Sequence, residues 1–262
     1  MTVQSGNNPV QATFRPVRWS AERRFHLGFI GAIIAAVLLG FSRTFFLRPW
    51  FPEWAQTHGA PETFFYVHGV LFVGWLVLLL AQTSLVTAGR VDLHRRLGPL
   101  GGGLAVAMVV VGTVASLIAA GRPTGFIDVP VPPLQFLAVP LADLALFGAF
   151  ATLGLVNRRK PQSHKRYMLL ASFSLVEAAV ARWPFAVMMS ASPIPGFTVV
   201  DLAVDLFLLP MLLWDLVSRG RVQPVTLWGG LALMAAQPLR MLLSRTDAWL
   251  GFAGWAVALI RP

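Results

Sequence analysis

The chain has 262 residues, of which 56% are hydrophobic and 12% charged, and its formal net charge is +10. Soluble domains average roughly 25% charged residues, so this balance excludes an ordinary soluble domain, and also disorder, collagen and coiled coil. No cysteine is present, which excludes a disulfide framework, a thiolate metal site and a cysteine nucleophile.

In a soluble protein so basic a balance would suggest nucleic acid. Here most lysines and arginines lie in short loops between apolar runs, where they set membrane orientation. The expected partner is therefore a lipid bilayer, with another membrane subunit as an option and no nucleic acid.

Residues 1–25 read as a basic cytoplasmic tail. It is too long to precede a cleaved secretory signal, so the run after it reads as an uncleaved anchor. Seven apolar runs follow, each near the roughly 20 residues that cross a bilayer as a helix. They are His26–Phe46, Thr63–Thr87, Gly101–Ala120, Leu134–Val156, Arg166–Ser190, Phe197–Val217 and Pro224–Leu243. The expected fold is an all-α polytopic bundle over residues 26–243. Residues 244–262 form a C-terminal segment in which Asp247–Ile260, carrying Trp249, Phe252 and Trp255, reads as an interfacial helix. An eighth, shorter span is the alternative.

Basic residues fix the expected orientation. Arg15, Arg18, Arg23 and Arg24 fall on one side with Arg90, Arg95 and Arg96. Arg158, Arg159, Lys160, Lys165, Arg166, Arg219 and Arg221 fall there too. Only Arg48 and Arg122 stand out on the other side before the C-terminus. The N-terminus is expected in the cytoplasm and the chain multi-pass, with the C-terminus outside if there are seven spans.

Five charged residues stand out within the spans. Asp143, Glu177, Asp201, Asp205 and Arg182 would each cost roughly 2.5 to 3.5 kcal/mol at mid-helix if left to lipid. With that topology, His68, Asp143, Arg182, Asp201 and Asp205 fall in one layer in the outer half of the bilayer, with Glu177 nearer the middle. Asp201 and Asp205, four residues apart, share a helix face and would repel without a cation, a proton or an arginine between them. Pro140, Pro184 and Pro210 lie beside this layer, where each can free a backbone carbonyl.

Two readings follow. In one, the layer is a site that binds or moves a small solute, a cation or a proton; His68, Asp201 and Asp205 could then hold a metal ion. In the other, Arg182 pairs with Asp205 and simply ties two helices together, as in a structural or accessory subunit. Asp215, four residues before Arg219, reads as an interfacial surface pair. His94 and His164, at inner helix ends in LHRRLG and SHKRYMLL, are either basic loop residues or ligands of a haem b iron.

Walker, HExxH, GxSxG and Rossmann fingerprints are absent from the sequence, and no nucleophile–base pair marks an enzyme. Gly101–Gly103 reads as close packing or a flexible span start. With no lysine inside a span, a retinal Schiff base is excluded.

The segments GFSRTFFLRPWF, VHGVLFVGWLVLLLAQTSLVTAGRVDLHRRLG, NRRKPQSHKRYMLLASFSLVEAAVARWP and QPLRMLLSRTDAWLGFAGW resemble a family of uncharacterised bacterial inner-membrane proteins with about seven helices. The resemblance covers most of the chain from the first span onward. It implies a membrane fold and no particular activity. A fainter likeness is to cytochrome b-type membrane proteins, carried by His94 with Leu97–Gly98 and His164 with Met168. Their histidine pairs lie inside spans, whereas here only His68 is clearly intramembrane.

Overall fold

A computed structural model describes residues 20–183, 194 and 197–260. Twelve α-helices, and no β-strand, are found among the described residues. They are α1 (Ala21–Gly40), α2 (Pro52–His58), α3 (Thr63–Thr87), α4 (Val91–Ala120), α5 (Pro133–Phe136), α6 (Ala138–Val156), α7 (Pro161–Phe173), α8 (Glu177–Val180), α9 (Val199–Asp205), α10 (Leu208–Arg219), α11 (Pro224–Leu243) and α12 (Asp247–Ala258). Four stretches are long and apolar enough to cross a membrane: α1, α3, α4 and the α5–α6 run Pro133–Val156.

The outer part of the expected fifth span, 184–190, lies outside the described residues, as does most of the N-terminal tail. The rest of that span is α7 and α8, and the expected sixth is α9 and α10. Two breaks follow from proline. Pro210 has no amide hydrogen to bond Leu206, and α9 gives way to α10 at Leu206–Phe207. Pro140 stands in the same relation to Phe136, where α5 ends. The α7–α8 break has no proline; Ser172 and Ser174 there donate to the Met168 and Ala171 carbonyls, competing with the helix ladder.

Two boundaries differ from expectation. Helix α4 begins at Val91, so Pro99 and Gly101–Gly103 lie within it rather than at a flexible start. Helix α1 stops at Gly40, and a π-helical turn takes Ser42–Phe46.

Helix α6 is the hub, packed against α4, α7 and α11. The shared core buries Phe147, Phe173, Leu170, Met108 and Ile33 almost completely. Helix α3 differs: only Trp75, Leu79 and Thr87 are buried along its length, and Val70 and Val77 face outward. Helix α12 packs on α4 and α5, with Ala253 fully buried and the Trp249 indole donating to Leu134 O at 2.8 Å.

The end of α1 meets α8 backbone to backbone. A Cβ at Gly40 would overlap the Ala179 carbonyl, while Gly28 and Gly31 on the same helix have open space. Gly40→Ala is expected to cost about 1–3 kcal/mol by overpacking, and Gly31→Ala nothing or a slight gain, read as thermal unfolding in detergent. Equal effects at the two positions would contradict this contact.

Candidate functional site

Helix α11 carries one buried stripe: Thr226, Gly229, Gly230, Leu233, Gln237 and Arg240. The steps of three and four residues keep these on one face. The stripe is polar at both ends and apolar in the middle. Thr226 and Arg240 are fourteen residues apart, so about 21 Å of helix separates the two polar ends.

Arg240 is the centre of the first polar layer. Its Nη1 donates to Asp143 Oδ1 on α6 at 2.8 Å. Its Nη2 donates to Glu177 Oε1 on α8 at 2.5 Å and to Asp201 Oδ1 on α9 at 2.9 Å. Arg240 is 6% exposed and Asp201 1%. The other oxygen of Asp201 accepts from the Thr198 amide and hydroxyl, both at 2.7 Å. Asp201 and Thr198 thus form the capping box of α9, and one carboxylate both starts a helix and holds the arginine.

Asp205 stands at the edge of this layer, half-buried. It accepts from Gln237 Nε2 at 3.0 Å. Three carboxylates therefore pair with one guanidinium, and a fourth is joined to the layer through Gln237. A recess lined by Asp143, Ser174, Glu177, Gln237 and Arg240 adjoins them, with room for about one water molecule.

The second polar layer lies at the opposite end of α10 and α11. Arg166 of α7 forms a two-point ion pair with Asp215 of α10, and its Nε also lies 3.2 Å from Thr226 Oγ1. Asp215 Oδ2 further accepts from Thr226 Oγ1 at 2.6 Å and from the Gln223 amide at 3.1 Å. Beside it, Glu22 of α1 pairs with Lys165 and Arg219.

Several sequence expectations are corrected here. Arg182 does not pair with Asp205. It is exposed, donates to Ala178 O in its own helical turn and lies over the Phe41 ring at 4.9 Å. The arginine among the acids is Arg240. His68 does not join the layer; its ring lies 4.2 Å from that of Phe72, and no hydrogen bond to it is found among the described residues. The set His68, Asp201 and Asp205 is therefore not assembled, and no metal-holding group of three or more His, Asp or Glu is found among the described residues. Asp215 is buried with Arg166, not paired at the surface with Arg219.

His94 and His164 do come together. Their rings are 6.1 Å apart between centroids and nearly perpendicular. His164 Nδ1 lies 2.8 Å from Gly154 O; donating there leaves Nε2 as the basic nitrogen, as in metal-ligating histidines. His94 Nδ1 is buried without a hydrogen-bond partner. Two imidazoles with an orphaned ring nitrogen are a donor set that fits iron.

Sequence reasoning missed Arg240, Gln237 and Thr198. Arg240 lies near one end of its apolar run, where an arginine commonly reaches out to water. The signal was its register: Gln237 and Arg240 continue the stripe begun at Thr226.

Compared with known proteins, the chain matches no family model, no curated protein and no solved structure.

Replacing Arg240 by leucine would leave buried carboxylates without their counter-charge. A loss of about 3–5 kcal/mol is expected, seen as a large fall in unfolding temperature in detergent, whereas Arg182→Leu should be nearly neutral. The reverse ranking would contradict the Arg240-centred layer.

Proposed function

We propose that the chain is a multi-pass protein of the bacterial inner membrane whose Arg240 layer binds an exchangeable proton. The observation that carries this reading is the count: three carboxylates on one guanidinium, with a fourth, Asp205, beside them on Gln237. The three on Arg240 cannot all stay ionised out of water beside a single positive charge, and Asp205 adds to the excess; the surplus is relieved by protonation.

A proton suits the site better than a metal ion or a larger solute. Arg240 occupies the centre of the carboxylates, where a metal would have to sit, and would repel it. The recess beside it has room for about one water molecule. Asp205, the half-buried member, is where exchange with the outside begins.

The membrane reading rests on the apolar outward faces of the long helices. Val70 and Val77 on α3, Val106 and Val110 on α4 and Val156 on α6 are all exposed, and in water such a surface would be a liability. Seven spans follow if α7–α8 and α9–α10 each cross as a broken helix, the form that polar sites in membranes favour. Lysines and arginines then gather on the side of α1's start, which makes that side cytoplasmic. The Arg240 layer falls in the outer half and the Arg166–Asp215 layer near the inner surface.

Infrared spectroscopy of the protein in liposomes tests the proton directly. A carbonyl band of a protonated carboxyl group is expected at neutral pH, reduced by Asp205→Asn and by Glu177→Gln. A wild-type protein with no such band would overturn the reading.

The closeness of His94 and His164 favours a second reading, in which the two rings hold haem b or a single redox metal ion. Bound there, the group would supply one-electron transfer, and His164, oriented by Gly154, would be the fixed ligand. Purified protein should then show a Soret band that shifts on dithionite reduction and disappears in His94→Ala. A colourless, metal-free sample would remove this reading and leave the proton site untouched.

A further inference from the structure

Two buried polar atoms in the Arg240 layer lack partners: Gln237 Oε1, an acceptor, and Arg240 Nε, a donor. Both side chains are more than nine-tenths buried, at 4% and 6% exposure. They are three residues apart on α11 and line the same recess. One small molecule that both donates and accepts would satisfy the two together, and the recess has room for about one water.

We infer that a water molecule occupies this recess between Gln237 and Arg240, and that the Gln237 amide couples Asp205 to the Arg240 carboxylates. The inference rests on the proton-binding reading above. The water accepts from Arg240 Nε–H and donates one hydrogen to Gln237 Oε1. Its second hydrogen is free for Glu177, which lines the same recess.

The coupling follows from the chemistry of an amide. Gln237 has a donor face and an acceptor face. An ionised Asp205 can only accept, so Gln237 turns Nε2 to it, as the 3.0 Å contact has it. The acceptor Oε1 then faces the recess. A protonated Asp205 donates instead, which calls for Oε1, so the amide turns over and Nε2 faces the recess. The recess then gains a donor and loses an acceptor. The water reorients and gives its hydrogens to the carboxylates, favouring their ionised form. One proton is in this way held either by Asp205 or by the carboxylates on Arg240, with no net charge added to the layer.

The charged groups that act on Asp205 are Arg240 of α11, Asp201 of its own helix and Glu177 of α8; Asp143 of α6 is linked through Arg240. The side-chain hydrogen bond to Asp205 found among the described residues comes from none of these but from the neutral Gln237.

The test is infrared difference spectroscopy of the full chain in liposomes, with glutamine labelled by carbon-13 at the side-chain carbonyl. The Gln237 mode is the one lost in Gln237→Met, which keeps the side chain's length. It is expected to shift on acidification of the wild type and to stay still in Asp205→Asn. Exchange into oxygen-18 water is expected to move one sharp O–H stretch in the wild type that is missing from Gln237→Met. Should that variant not fold, Gln237→Asn replaces it with the same expectations. A Gln237 mode indifferent to pH, or one that moves equally in Asp205→Asn, overturns the coupling. A water band unchanged without Gln237 overturns the bridging water. Both failures leave the protonated-carboxyl band in place, whereas loss of that band from the wild type is the failure of the proton site itself.

Discussion

A guanidinium that cannot reach water must have its charge met on the spot, and that requirement organises this bundle. Arg240 is met by Asp143, Glu177 and Asp201, which come from α6, α8 and α9. None of those acids could be buried alone without a penalty of several kcal/mol. Four helices are therefore held in register at one level by charge, while apolar packing holds them elsewhere. The local ends of helices cooperate: Asp201 sits in the first turn of α9, where negative charge is favoured, and Arg240 in the last turn of α11, where positive charge is.

The opposite end of α11 repeats the device with other residues. Arg166, Asp215 and Thr226 form a closed network, and there one arginine meets one aspartate. That end is balanced and reads as structural. The Arg240 end is not balanced, which is why proton binding is proposed for it. Between them the stripe is Gly229, Gly230 and Leu233, with the Leu170 side chain against Gly229. No polar side chain of α11's buried face bridges this gap.

The breaks α7–α8 and α9–α10 fall next to Glu177 and Asp205. Helix interruption and buried charge coincide at both places. The sequence showed part of this arrangement. The helical class, four of the apolar stretches and the gathering of Asp143, Glu177 and Asp201 could all be read from hydropathy and from the cost of acids in apolar runs. Which cation met them could not. Arg182 was closer in sequence to the acids, and only three-dimensional packing shows it turned outward over Phe41. His68 looked equivalent to its neighbours in depth, but depth along a helix says nothing of the face. Asp215 was misread for the same reason: spacing of four residues suggested Arg219, while the fold supplied Arg166 from another helix.

The central claim is that the folded chain holds protons its unfolded form would release at neutral pH. Counting them is the most direct check. The purified protein would be unfolded in weakly buffered detergent at neutral pH with an indicator dye, alongside an Asp143→Asn/Asp205→Asn variant. The wild type is expected to release at least one more proton per chain than the variant. Equal release from the two would mean that the acids around Arg240 are ionised in the fold, and would contradict the account.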